Sequence, residues 1–391
     1  MPHKSLEVVV EPKVLLWARE SIGLGIQDIA KKLKISGNTI EKWETGQKKP
    51  KLTQIEKLAK IYKRPLAVFF LPKPPEDPPL PKDFRSLAME RRAAFSPKAR
   101  LAIRRARRLQ SLAIELAKSL NREITPQISR VSLLDDPEIV ANMVRKQLGV
   151  ELQIQFRWED ENKALNGWKR AIEKSGVLIF QISMPIEEAR GFSLDQSKPP
   201  VIVLNLSDSP NGRIFSIFHE YAHLLLNDSG ICNMEDVDDL SDEGKLTEKF
   251  CNHFAGAVLV PKDALLTHEI IKSENYPFEF PDETLKELSK LFKVSQEVIL
   301  RRLLIFGLTT VDFYRRKRKE WEAKSKEVQR KQKWGRQNPP KKCVQENGVP
   351  FVSLVLETHR EEKITYRDVA DYLTVPLKHL PKVEQLAQNN P

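Results

Sequence analysis

No apolar run in this 391-residue chain approaches the roughly 20 residues that a membrane-spanning helix needs. The longest blocks resemble LAVFFL at 66–71, and 30% of all residues are charged. A secretion signal is also missing: Met-Pro-His-Lys leads directly into patterned sequence, without the charged, apolar and small-residue layout of a signal peptide. A cytoplasmic protein with no membrane partner is expected. Cysteine is scarce. Cys232, Cys251 and Cys343 stand far apart and never form a Cys-x-x-Cys pair, which argues against a disulfide framework and against a thiolate zinc site. They read as reduced bystanders. Acidic charge is thin in three segments: residues 1–72 carry a net +7, 85–130 a net +9 and 314–342 a net +10, against a total of +12. Positive charge gathered in this way is the footprint of a nucleic-acid binder, because neutralising phosphates releases counterions. Solvated helix faces explain any one segment equally well.

What is present is enough for two or three domains. Residues 12–70 pattern as short helices within a first domain at 1–71. Pro72, Pro74, Pro75, Pro78, Pro79 and Pro81 then crowd a stiff linker at 72–84. A basic helical connector is expected over 85–130, with a helix at 96–120 that sets Leu101, Ala102, Leu109, Leu112, Ala113 and Leu116 beside Arg104, Arg105, Arg107 and Arg108. Residues 131–313 change character. Runs at 177–182, 191–194 and 201–206 predict a small sheet against helices, and 282–306 returns to helical periodicity as a lid on this domain. Residues 292–297 carry a second helix-turn-helix-like turn with Ser295 as its N-cap. A basic, solvated helix at 314–345 and a small C-terminal subdomain at 346–391 complete the chain, the latter with a strand at 351–357 and a capped helix at 364–373. The fold class expected is α+β, mainly helical: an N-terminal all-α domain, then a larger domain with a small sheet.

Within the first domain, Ile29, Ala30, Leu33, Ile35, Ile40 and Trp43 fall where two short crossed helices bury a shared core. Ser36 is placed to cap the second helix and Gly46 to end it in the left-handed conformation. The set Gln27, Ala30, Ser36, Thr39, Ile40, Trp43, Glu44, Gly46 and Pro50 resembles the Xre family of helix-turn-helix domains. That resemblance implies a double-stranded DNA operator as partner, read by the second helix in the major groove. Carried over position by position, the DNA-facing set is Gln27, Ser36, Asn38, Thr39, Lys42, Lys48 and Lys49. Asn38 and Lys42 would face bases, and Gln27, Lys48 and Lys49 the phosphate backbone. A homodimer on two half-sites follows as an expectation.

In the second domain, RIFSIFHEYAHLLL at 213–226 places His219 and His223 four apart, on one face of a helix. Two imidazoles at that spacing reach one tetrahedral ion and supply two of the three protein ligands that a catalytic zinc uses. Glu220 is then placed to take a proton from water and return it to a leaving amine. Chance would produce the spacing in roughly one such sequence in a hundred. The third ligand lies downstream among several candidates: the acidic stretch 235–243, which reads as a solvated loop; Glu248, starting a helix 25 residues after His223; and His253, directed away from Glu248 on that helix. Glu248 is the best placed.

The combination His-Glu-Tyr-Ala-His, then Glu248, Asn252, Phe254, Ala255 and the ending Leu-Val-Pro at Pro261, resembles the ImmA/IrrE metallopeptidases over about 165–310. Cys251, Val260 and Phe250 depart from the usual residues, and none of these changes removes a proposed ligand. The resemblance implies a zincin-like domain with Zn2+ on His219, His223 and Glu248, and Glu220 as general base. It also implies a DNA-binding transcriptional regulator whose endopeptidase cleaves a partner repressor, another regulatory protein, or the chain itself. The strand at 190–194 is expected to be the edge on which a substrate adds. The competing expectation is an antitoxin or repressor that binds DNA and a cognate toxin, with the peptidase fold as docking surface. A third is a zinc hydrolase whose first domain only dimerises it.

Overall fold

Proline, glycine and left-handed turns divide the N-terminal segment into short helices. In the computed structural model, residues 6–76, 82–83, 95–227, 230–232, 242–272, 278–331 and 338–389 are described. The chain divides into two units, Met1–Leu80 with Ala88–Arg104, and Pro81–Leu87 with Arg105–Pro391. In the first, α1 (Pro12–Glu20) opens on a proline, whose missing N–H falls where no helical bond is lost. α2 (Ile26–Leu33) starts after Gly25, whose N–H donates to Asp28 Oδ2 at 3.0 Å. It stops at Lys34, which turns the chain at φ 56°. α3 (Gly37–Glu44) follows Ser36, whose hydroxyl lies 2.9 Å from the Thr39 hydroxyl instead of bonding a backbone N–H. α4 (Leu52–Tyr62) and a 3-10 turn at Leu66–Phe70 close the unit. Ile29, Ala30, Ile40, Trp43, Ile55, Leu58, Tyr62 and Phe69 form its core. Arg19 forks onto Glu44 at 2.8 and 2.9 Å and ties α1 to α3.

α5 (Pro97–Ser119) is the basic amphipathic helix expected at 96–120, and the division between the units falls inside it. Its cations serve as fastenings. Arg104 donates to the carbonyls of Tyr62 and Lys63 at 2.8 and 2.9 Å, satisfying acceptors left open at the end of α4. Arg105 pairs with Glu346 at 3.0 Å.

The second unit surrounds a five-stranded sheet. α6 (Pro137–Leu148), α7 (Leu152–Arg157) and α8 (Glu161–Lys174) precede β2 (Leu178–Ile182), β3 (Gly191–Leu194) and β4 (Val201–Asn205); α9 (Pro210–Leu226), β5 (Gly230–Cys232) and α10 (Asp242–Leu259) follow. The linker supplies β1 (Lys82–Asp83), and the strand order is β1-β5-β3-β4-β2. β2 and β4 run parallel, β3 is antiparallel to β4 and β5, and β1 is parallel to β5. Every residue of β2, β3 and β4 is buried, the polar Gln181, Ser193 and Asn205 included, so burial does not alternate along these strands. Ile179, Ile202 and Leu204 join α9 in the main core, while Phe180 meets Phe351 edge-on at 5.6 Å. The three strands expected from the sequence are therefore present.

α11 (Lys262–Leu266), α12 (Glu269–Lys272), α13 (Asp282–Phe292) and α14 (Gln296–Ile305) follow α10. Leu285, Leu288, Phe292, Ile299, Leu300 and Leu303 bury α13 and α14 in the same core as α9 and α10. The turn between them has Lys293 at φ 55°, and the Ser295 hydroxyl accepts the Val298 N–H at 3.3 Å. α15 (Val311–Lys331) is basic but laced with ion pairs: Arg316 to Glu279 at 2.7 Å, Lys317 to Asp282 at 2.9 Å, Arg318 to Glu322 at 2.9 Å. α16 (Pro339–Asn347), α17 (Val349–Arg360), α18 (Tyr366–Leu373) and α19 (Leu380–Gln388) end the chain.

Two expectations fail. Residues 351–357 are not a strand but the middle of α17: Gly348 at φ 73° breaks the chain, Pro350 sits in the helix's first turn, and Phe351, Val352, Val355 and Leu356 recur with a helical period. The strand at 190–194 is not a free edge. β5 pairs with it, Gly191 opposite Cys232 and Phe192 opposite Ile231.

Candidate metal centre

α9 carries the centre and is fixed at both ends. The Ser209 hydroxyl accepts the Gly212 N–H at 3.0 Å, Pro210 takes the first position, and Asn227 ends the helix at φ 58°. Arg130 donates to the Leu224 carbonyl at 2.5 Å. Buried residues line α9 from Arg213 to Leu225, so it runs through the core and not along the surface. One helical turn separates His219 from His223, and their Nε2 atoms stand 3.3 Å apart.

Glu248 arrives on α10. Its Oε2 lies 3.3 Å from His219 Nε2 and its Oε1 3.3 Å from His223 Nε2. One carboxylate oxygen of Glu248 thus faces each imidazole, and the three residues bring ligand atoms within 4.8 Å of one another. Bonds of about 2.0–2.1 Å at a tetrahedral angle separate ligand atoms by roughly 3.3–3.4 Å, the spacing of the two Nε2 atoms and of each Nε2 from the carboxylate oxygen facing it. Relative exposures of 2% for His219, 0% for His223 and 4% for Glu248 remove competing water. Burial alone would raise the Glu248 carboxyl, but the charge and hydrogen bond of His219, with those of His223, outweigh it and hold the carboxyl well below its usual range. His253, the rival ligand, turns elsewhere and meets Glu138 Oε1 at 2.7 Å. The acidic stretch 235–243 lies largely outside the described residues.

Glu220 is 1% exposed, and its Oε2 is buried without a hydrogen-bond partner. Burial pushes its carboxyl up to about 8; the neighbouring His223 opposes that rise, Glu248 adds to it, and Ser193 opposes it. A dication on the adjacent donors would favour the ionised form that a base needs. The sheet makes room for it. A Cβ on Gly191 of β3 would stand 3.2 Å from both Cγ and Oε1 of Glu220, and 3.0 Å from the Val203 carbonyl.

A polar clamp, which the sequence did not reveal, holds α10 in register. Arg145 donates to the Val258 carbonyl at 2.6 Å and to Gln155 Oε1 at 2.8 Å. Gln155 donates to the carbonyls of Leu259 and Phe292 at 2.8 and 2.7 Å, and Arg302 donates to that of Val260 at 2.9 Å. The open carbonyls at the end of the helix are satisfied by side chains from α6, α7 and α14. Glu138 bridges Arg302 at 2.5 and 2.9 Å.

In the first unit, Gln27, Ser36, Asn38, Lys42, Lys48 and Lys49 are exposed and Thr39 is half-buried. The Gln27 amide lies over Gly37 at the start of α3, where a Cβ would come within 2.9 Å of its Nε2.

A buried His-Glu-x-x-His helix, a carboxylate from a second helix and a small sheet beside them define a metallopeptidase-like domain, carried behind a helix-turn-helix. Known families agree on both counts. Residues 172–304 match the IrrE N-terminal-like domain, and residues 15–69 match a helix-turn-helix family. The chain therefore carries an Xre-type helix-turn-helix fused to an IrrE-like peptidase domain. No protein of curated function matches it. Among the described residues, no helix is long and apolar enough to cross a membrane.

Proposed function

We propose that this protein is a cytoplasmic transcriptional regulator that binds an operator through α3 and acts as a zinc-dependent endopeptidase on a partner regulatory protein or on itself. The observation that carries the enzymatic half is the buried cluster of His219, His223 and Glu248, the two Nε2 atoms 3.3 Å apart and each 3.3 Å from a carboxylate oxygen, with Glu220 one residue from the first ligand. Zinc held there would act as a Lewis acid on the scissile carbonyl and acidify water. Glu220 accepts the proton and returns it to the leaving nitrogen. Asn38 and Lys42 are assigned to bases, Gln27, Lys48 and Lys49 to phosphates, and Ser36 and Thr39 to the entry of the reading helix, with a homodimer as the binding species.

The test is cleavage of the products of neighbouring genes by the zinc-loaded chain. Glu220→Gln should abolish cleavage while zinc content and DNA binding persist; cleavage that survives in Glu220→Gln defeats the mechanism.

The depth of the site, with Glu220 at 1% exposure, favours a second reading: an antitoxin or repressor that docks a toxin on an inert peptidase fold. In that case Glu220→Gln complements fully in cells and Asn38→Ala with Lys42→Ala does not.

A further inference from the structure

β3 is the strand against which Glu220 rests: Gly191 leaves its Cβ position within 3.2 Å of Glu220 Oε1. A polypeptide adding to this sheet as an extra strand would present its backbone to the outer edge of β3 at that position, because β-augmentation draws its affinity from main-chain hydrogen bonds to an open edge. At Gly191 and Phe192 that edge is already taken. Cys232 and Ile231 of β5 pair there in antiparallel register. β5 is covered in turn by β1, Lys82 opposite Gly230 and Asp83 opposite Ile231. The covering pieces are three and two residues long, and strands that short are marginal on their own and open at low cost.

We infer that Gly230–Cys232, backed by the linker pair Lys82–Asp83, fills in cis the edge on which a polypeptide substrate adds, and that substrate enters by displacing these strands. The inference rests on the peptidase reading above and specifies its regulation: the site stays latent until strand exchange opens it, and substrates are extended, unfolded segments. A folded domain offers no strand to exchange.

The test compares zinc-loaded full-length wild type with Ile231→Pro, which disrupts β5, and with Lys82→Pro/Asp83→Pro, which disturbs only the outermost strand. Two probes are bound to each: acetohydroxamate, which needs only a metal, and an apolar hexapeptide hydroxamate, which also needs the edge. The peptide probe should bind both variants about tenfold or more tighter than wild type, with acetohydroxamate unchanged. Equal peptide affinity in all three overturns the inference. Amide hydrogen exchange provides a readout independent of the metal. Protection at Phe192 and Ile231 is expected in free wild type, with Ile231 losing it when the peptide probe binds. An unprotected Ile231 in the free chain, or one that stays protected in the complex, contradicts strand displacement. If acetohydroxamate binds none of the three, the zinc reading fails while exchange still decides whether β5 closes the edge.

Discussion

Glu220 rests against a glycine, Gly191 of β3. A Cβ at position 191 would press on its carboxylate from 3.2 Å and on the Val203 carbonyl from 3.0 Å. Gly191→Ala should therefore shift the base and lower kcat by about 10- to 100-fold, with KM and zinc content close to wild type; an unchanged kcat would show that Glu220 is not constrained by β3. Glu173 on α8 is a buried carboxyl outside the centre. Burial raises it from 4.5 to about 7, against the opposing charges of Lys169 and Arg170. The folded chain thus holds a proton that the unfolded chain has released. The associated stability is complete below pH 4.5 and is lost as pH rises through 7. Its size is on the order of 3 kcal/mol. Glu173→Gln, which does not titrate, should flatten the Tm profile between pH 4.5 and 7 relative to wild type; parallel profiles would contradict the assignment.

At the scale of elements, the site depends on how α10 is held against α9. Gln155 is fully buried and bonded to α6, α10 and α13 through Arg145, Leu259 and Phe292. Gln155→Leu keeps the volume but strands two carbonyls and a guanidinium contact, so a loss of about 2–4 kcal/mol is expected in denaturant melts. Zinc affinity should weaken with it, because Glu248 rides on the same helix. A stable variant with unaltered affinity would remove the clamp from the account. The clamp was invisible in the sequence for a physical reason: its partners lie 113, 104 and 42 residues apart, and no local pattern records such contacts. The histidine pair was legible because a spacing of four is a local property of the helix. Glu248 was legible because it opens an amphipathic stretch, and β2 and β4 because apolar β-branched runs bounded by turn residues have few other readings. FVSLVLE at 351–357 is apolar enough for either state, and the glycine and proline before it decided for helix. The expectation of a free edge at 190–194 failed because its cover comes from residues 230–232 and 82–83, segments too short to announce themselves as strands.

The residues proposed to read DNA and those proposed to hold the metal belong to different units. The two activities should therefore separate by mutation. DNA affinity of the full chain should fall steeply with salt, and Lys48→Ala with Lys49→Ala should lower the slope of log K against log salt by about 2, leaving zinc content untouched. Affinity insensitive to salt would reduce the first unit to an oligomerisation module. Whether His219, His223 and Glu248 enclose one ion is read from the metal content of purified protein after dialysis against zinc and then against buffer. About one zinc per chain is predicted for wild type, with near-complete loss in Glu248→Ala and His223→Ala at an unchanged circular dichroism spectrum. Zinc retained in full by Glu248→Ala, or absent from wild type, would contradict it.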